Sequence, residues 1–182
     1  MRTNSDFKLR DLSEHDLELV LQWRNSERIR KNMYHDNIIT WEEHIQWFSR
    51  VKNDHTKRHK VFELNNLPVG IVNFTEIDFI HKRCKWGFYL GEENLPKGTG
   101  TLMGYVGLSY IFENEKMRKV SGEVFGFNSA SIHFHKKLGF HQEGCLRKHM
   151  IRDEQYIDIL LFGFLHEEWQ SYKLELEKLL FT

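Results

Sequence analysis

A strand that runs into a glycine-rich loop and then into a helix constrains this chain more than any other feature. Cys84 to Leu90 reads as a strand ending in Trp86-Gly87-Phe88-Tyr89-Leu90. A loop containing Lys97-Gly98-Thr99-Gly100 follows. From Thr101 a helical segment carries Leu102, Tyr105, Val106, Leu108, Ser109, Ile111 and Phe112. Glycines let backbone N–H groups approach an anion closely, and a helix N-terminus adds partial positive charge. Taken alone the unit fits either a phosphate seat or a tight turn before a helix. It is not a Walker A loop, because no Gly-Lys-Ser/Thr follows at the required spacing. Nor is it a dinucleotide fingerprint, since Gly98-Thr99-Gly100-Thr101-Leu102-Met103 lacks the third glycine.

The elements around this unit form an α/β (α+β) pattern. Phe7 to Leu12 alternates as a short half-buried strand, and Ser13 with Asp16 resembles a capping box before Leu17, Val20 and Leu21. Thr40 with Glu43 caps a second helix, whose stripe Trp41, Ile45, Phe48 and Val51 reads as core. Val61–Leu64 and Val69–Phe74 flank the turn Asn65-Asn66-Leu67-Pro68 as a hairpin. Lys119–Phe127 is a strand and Ser129–Leu138 a short helix stopped by Gly139. Strands Cys145–Ile151 and Tyr156–Phe164 flank the turn Arg152-Asp153-Glu154-Gln155, and a helix from His166 to Leu180 follows. That mixture excludes a helix bundle or a β-sandwich. The last helix, with Leu174, Leu176, Leu179, Leu180 and Phe181, could dock on its own domain or on a second copy in a homodimer.

Composition narrows the class further. The 182 residues carry 26 Lys+Arg against 26 Asp+Glu, and no linker or repeat divides them, so we expect one domain over residues 1–182. Charge balance argues against broad nucleic-acid contact, which needs a basic excess. A pyrophosphate held by backbone amides needs none. Cys84 and Cys145 are too few for a disulfide framework and read as reduced thiols. The start, Met-Arg-Thr-Asn-Ser-Asp, lacks the apolar core of a signal peptide, and Ile159–Leu165 is too short to span a bilayer. A cytoplasmic location without membrane attachment is expected.

Downstream, Asn128-Ser129-Ala130-Ser131 leads into His133-Phe134-His135-Lys136-Lys137-Leu138-Gly139-Phe140. A strand ending at Asn, a helix and then Lys-Leu-Gly-Phe resembles the Gcn5-related N-acetyltransferases. Their acetyl-coenzyme A pyrophosphate site is similar to the strand–glycine loop–helix unit, in the same order along the chain. The resemblance implies a GNAT fold, with a mixed, mostly antiparallel sheet of about seven strands flanked by helices, and an acetyl-CoA cosubstrate without a metal. His133 and His135 lie two apart and diverge on a helix, a poor metal pair.

Leu21-Gln22-Trp23-Arg24-Asn25, Asn32-Met33-Tyr34, Glu43-His44-Ile45-Gln46-Trp47-Phe48 and Asn73-Phe74-Thr75-Glu76-Ile77-Asp78 resemble nucleotide-sugar N-acetyltransferases of pseudaminic acid biosynthesis. Those enzymes acetylate the 4-amino group of UDP-4-amino-4,6-dideoxy-N-acetyl-β-L-altrosamine. Ribosomal-protein N-terminal acetyltransferases share some of these features, so a peptide or polyamine acceptor is the alternative. A non-catalytic acetyl-CoA sensor is a third reading, because the family's Tyr is His135 here.

The resemblance implies roles residue by residue. Backbone of Phe88, Tyr89 and Leu90 would serve the pantetheine and the oxyanion. Amides from Lys97 through Gly98, Thr99 and Gly100 to Thr101 would hold phosphates, because Leu95 and Pro96 replace the usual first positions and Pro96 has no N–H. Asn128 would bond the coenzyme arm. Glu123 is the expected base, with Glu76 and Asp78 as runners-up, and His135 the expected acid for the leaving thiolate. Arg24 would pair with a substrate phosphate, Tyr34 and His44 would contact phosphate or sugar, and Thr75 would lie near the sugar. Each residue also has a plain structural reading: a solvated strand carboxylate for Glu123, a surface ion pair for Arg24, and core positions for His44 and Tyr34.

Overall fold

The computed structural model describes residues 6–181, so the N-terminal stretch read above for a leader lies almost wholly outside them. Among the described residues, seven strands form one sheet in the order β1-β2-β3-β4-β5-β7-β6. They are β1 Phe7–Asp11, β2 Arg58–Leu64, β3 Leu67–Asp78, β4 Arg83–Leu90, β5 Lys119–Phe125, β6 His141–Arg152 and β7 Gln155–Leu165. The helices are α1 Leu17–Asn25, α2 Glu27–Arg30, α3 Trp41–Val51, α4 Thr99–Ser109, α5 Ser129–Lys137 and α6 His166–Phe181. All neighbouring strands run antiparallel except β4 and β5. A parallel pair needs a crossover, and α4 supplies it.

The two faces of the sheet bury different sets. Val72, Phe74, Cys84, Trp86, Val120 and Phe162 pack with Leu102 and Met103 of α4, Leu138 just after α5, and Trp169 of α6. On the other face Val61 and Ile71 pack with Val20, Trp23 and Ile29 from α1 and α2. Alternation along β4 feeds both, with Cys84, Trp86 and Phe88 on the first side and Lys85, Gly87 and Tyr89 on the second.

Several expectations shift. The helix after the glycine loop starts at Thr99, two residues earlier than the apolar pattern suggested, because Gly98 caps it in the left-handed region at φ 89°. β5 ends at Phe125, where the chain turns through Gly126 toward the Asn128 cap. The α3 stripe rotates: His44, Phe48 and Val51 face inward, while Trp41 and Ile45 are 46% and 37% exposed. The short α2 was not foreseen, since four residues carry no periodicity. Cys84 is buried and Cys145 exposed, and both are free thiols. α6 docks on its own sheet through Trp169 and Leu176, with Tyr105 of α4 donating to Glu177 at 2.7 Å. No helix among the described residues is long and apolar enough to cross a membrane.

Candidate active site

The site begins where two central strands part. β4 and β5 pair only over Arg83–Lys85 and Lys119–Ser121, yet β4 continues to Leu90 and β5 to Phe125. Beyond Lys85 the backbone groups of β4 that face β5 have no ladder partner. Such a wedge in a sheet interior leaves hydrogen-bonding backbone for an extended ligand arm. Phe88, Tyr89 and Leu90 border it.

At the C-terminal end of β4 the glycine loop delivers the N-terminus of α4. No side chain caps this helix, and its first turn carries no acidic residue. Thr99 turns back on Pro96, donating to its carbonyl from both N–H at 3.1 Å and hydroxyl at 2.7 Å. The first bond back to the cap is Leu102 N–H to Gly98 O at 2.9 Å. The amides of Gly100 and Thr101 thus belong to the unsatisfied first turn, the part of a helix that seats phosphates. A Cβ added at Gly100 would sit 3.7 Å from both Leu90 and Phe134, so the loop is held against β4 and α5. Arg28 of α2 braces the same corner, donating to the carbonyls of Leu90 at 3.1 Å and Gly91 at 2.7 Å. This donor set fits the pyrophosphate and pantetheine of acetyl-CoA. Asn128 caps α5, its side-chain oxygen accepting from Ser131 N–H at 3.0 Å.

On the opposite face of β4 lies an open floor. Gly87 is exposed although its strand is central, and a Cβ built there would meet nothing within 4 Å. Around it stand Asn73 and Thr75 of β3, Lys85 and Tyr89 of β4, and Glu123 of β5, all on one face by register. Lys85 Nζ lies 2.9 Å from Glu123 and 3.0 Å from Glu76, while Tyr34 donates a short hydrogen bond to Glu123. Burial pushes the Glu123 carboxyl up, but the donors Tyr34 and Lys85 outweigh it and hold it below the usual range. Glu123 is therefore ionised at neutral pH, and the same two donors weaken its hold on any further proton. Asp78, one runner-up, is spent on the β3–β4 turn, accepting from the N–H groups of Ile80 and His81.

Arg24 borders this floor beside Tyr89. Its Nη2 donates to His35 O at 2.8 Å, whereas its buried Nη1 has no partner. Burial lowers its pKa somewhat, and the remaining donor suits an anion. His44 sits deeper, 4% exposed, stacked on Trp47 at 5.2 Å with Nε2 unpartnered. Burial pushes both His44 and His59 below the ordinary imidazole range. Trp47 separates His44 from His59, whose Nδ1 bonds Asn73 at 2.8 Å. Thr75 is half-buried opposite Lys85, and Tyr34 is 42% exposed.

His135 departs from expectation. It is 2% exposed in the core, not in the wedge. Its Nδ1 donates to Ser131 O at 2.8 Å, and its Nε2 accepts from Trp86 Nε1–H at 3.2 Å. Burial lowers its pKa to about 4. The ring is neutral at physiological pH with both nitrogens engaged, so these surroundings suit a strut under β4 rather than an acid for a thiolate. The sequence carries no signal for its burial. Sequence reasoning also missed Lys85, Asn73 and Gly87, which only the strand register brings to the floor.

Residues 6–141 match the family described as Acetyltransferase (GNAT) domain. The spermidine N(1)-acetyltransferase of Escherichia coli (strain K12) is 26% identical over 167 residues, covering 91% of this chain and 90% of that protein. Acetyltransferase PseH of Campylobacter jejuni is 27% identical over 130 residues, 71% and 80% of the two chains. A crystal structure of spermidine N-acetyltransferase from Vibrio cholerae with CoA and spermine superposes with a TM-score of 0.85 at 22% identity, covering 92% and 99%. An open wedge in the sheet, an uncapped helix end and a matched domain spanning most of the sheet agree: this chain belongs to the GNAT acetyltransferases and is an N-acetyltransferase.

Proposed function

We propose that the acceptor is a nucleotide-linked amino sugar, the 4-amino group of UDP-4-amino-4,6-dideoxy-N-acetyl-β-L-altrosamine, in the cytoplasm and within a single domain. The observation that carries the reading is Arg24, whose buried Nη1 has no partner and is available to an anion at the edge of the open floor. A guanidinium left half-satisfied in the interior is costly, and a phosphate oxygen completes it. The likeness to nucleotide-sugar enzymes around Arg24, Tyr34, His44 and Thr75 supports the same acceptor.

Acetyl-CoA supplies a thioester carbonyl, with its phosphates toward Gly98–Thr101 and its arm along Phe88–Leu90 and Asn128. The amine attacks that carbonyl, the C–S bond breaks, and the thiolate takes the electron pair. Glu123 receives the proton that the amine releases, directly or through water. Backbone N–H groups of β4 beyond Lys85 face the developing oxyanion. Holding the two reactants on one strand lowers the entropic barrier.

A polyamine acceptor is the second reading, favoured by spermidine enzymes matching 91% of the chain. Against it stands Lys85, which occupies both Glu76 and Glu123 and places a cation where a polyamine needs carboxylates. The test is thiol release from acetyl-CoA in the presence of the UDP-amino sugar, spermidine, or a ribosomal N-terminal peptide. Release with the sugar alone is expected. Release only with spermidine or peptide overturns the assignment, and coenzyme binding without release under any condition favours the sensor.

A further inference from the structure

The segment 31–39 runs between α2 and α3 without regular structure, yet it places Tyr34 against Glu123. Its backbone is held by side chains from elsewhere. Arg24 donates to His35 O at 2.8 Å, Arg30 to Asp36 O at 2.5 Å, and Asn25 exchanges two bonds with Ile39. Those anchors come from the adjacent helices. One comes from far away. Arg152, at the end of β6, donates from Nη1 to Lys31 O at 2.6 Å and from Nη2 to Met33 O at 2.5 Å. Its Nε lies 3.7 Å from Asp36, and its guanidinium sits 4.9 Å over the ring of Phe125. Phe125 in turn contacts Tyr34, ring centres 5.3 Å apart.

Resting on the acceptor-floor reading, we infer that Arg152 is a positioning residue of the acceptor site, clamping the carbonyls on either side of the 31–33 turn so that Tyr34 stays over Glu123. The planar fork matches two carbonyls at once, and its face covers the aromatic ring at the same time. Its side chain is only 13% exposed, so losing the contacts would leave both carbonyls with one partner fewer. Arg152 lies beyond residues 6–141, the part matched as a GNAT domain, so the clamp joins the acceptor loop to a hairpin outside that segment. The positioning acts through Tyr34 and Glu123 and does not involve the α4 end, where the coenzyme phosphates bind.

Arg152→Ala and Arg152→Lys test this, with whichever amine the wild-type enzyme acetylates. The Ala variant should raise the acceptor KM about tenfold and leave the acetyl-CoA KM unchanged. The Lys variant should recover only part, because one ammonium cannot fork to two carbonyls. Hydrogen exchange should quicken over 31–39 in both variants while β5 and β7 keep their protection. An unchanged acceptor KM, an equal rise in both KM values, or unaltered exchange in 31–39 overturns the inference. If the Ala variant does not fold, the Lys variant carries the test. The exchange arm uses no acceptor, so a sugar assignment that fails in favour of spermidine leaves this result standing on its own.

Discussion

Two glycines on neighbouring strands should respond oppositely to the same added methyl group. Gly122 of β5 faces the core, and a Cβ there would lie 2.6 Å from His135 Nε2 and 3.0 Å from Trp86 Nε1. Neither ring can retreat: Trp86 stacks on Phe140 at 5.0 Å, and His135 stacks on Phe162 at 5.0 Å. The methyl therefore wedges into the Trp86–His135 hydrogen bond. Overpacking costs about 1–3 kcal/mol, and separating a buried donor from its acceptor about 1–3 kcal/mol more. The lost backbone freedom of the unfolded chain returns about 0.4–1 kcal/mol. A net loss of about 1–5 kcal/mol lowers Tm by about 2–20 °C for a domain of this size. Gly87→Ala places its methyl over the open floor, so Tm should stay within about 2 °C while the acceptor KM rises. Circular dichroism melts at neutral pH, paired with thiol-release kinetics, read both. A Gly122→Ala protein melting with the wild type would refute the packing argument. A Gly87→Ala protein with an unchanged acceptor KM would remove the floor.

Two further outcomes follow from the same geometry. Glu123→Gln should depress kcat at neutral pH with little change in acetyl-CoA affinity, and unchanged turnover would remove Glu123 from the base role. The pH dependence of stability tests His135, whose folded pKa of about 4 lies below its unfolded value. The unfolded chain takes up a proton that the buried ring refuses. Stability is therefore full above about pH 6.5 and falls toward pH 4, by about 1.4 kcal/mol per unit. His135→Gln keeps an acceptor for Trp86 but cannot titrate, so its melts should lose part of that slope. His44 and His59, also lowered by burial, retain the rest. Identical slopes in the two proteins would show that His135 is not buried as a neutral ring.

Local signals carried much of the fold. The Thr40–Glu43 capping box forms as the spacing implied, and Asn128 caps α5. The glycine loop meets a helix end because that chemistry needs only contiguous residues. What escaped the sequence reading depends on pairs distant in the chain. Arg152 meets Met33 across 119 residues, and Trp86 meets His135 across 49. Lys85, Asn73 and Gly87 acquire meaning only through the β3–β4 register. The inward rotation of α3 was missed for a related reason: a heptad-like stripe names the apolar residues, but the tilt against α1 decides which are covered. His135 shows the opposite failure, since resemblance to a family motif supplied a role that its packing does not support.

β4 writes two instructions in alternate letters. Phe88 and Leu90 lean toward Phe134 and Gly100 on the proposed coenzyme side, whereas Lys85, Gly87 and Tyr89 line the proposed acceptor side. Changing odd-numbered letters can redraw the choice of amine while the even-numbered ones go on seating the same donor. The arrangement tolerates substitution but not a frameshift. One residue inserted after Lys85 would turn every later side chain to the wrong wall and exchange donor and acceptor addresses together.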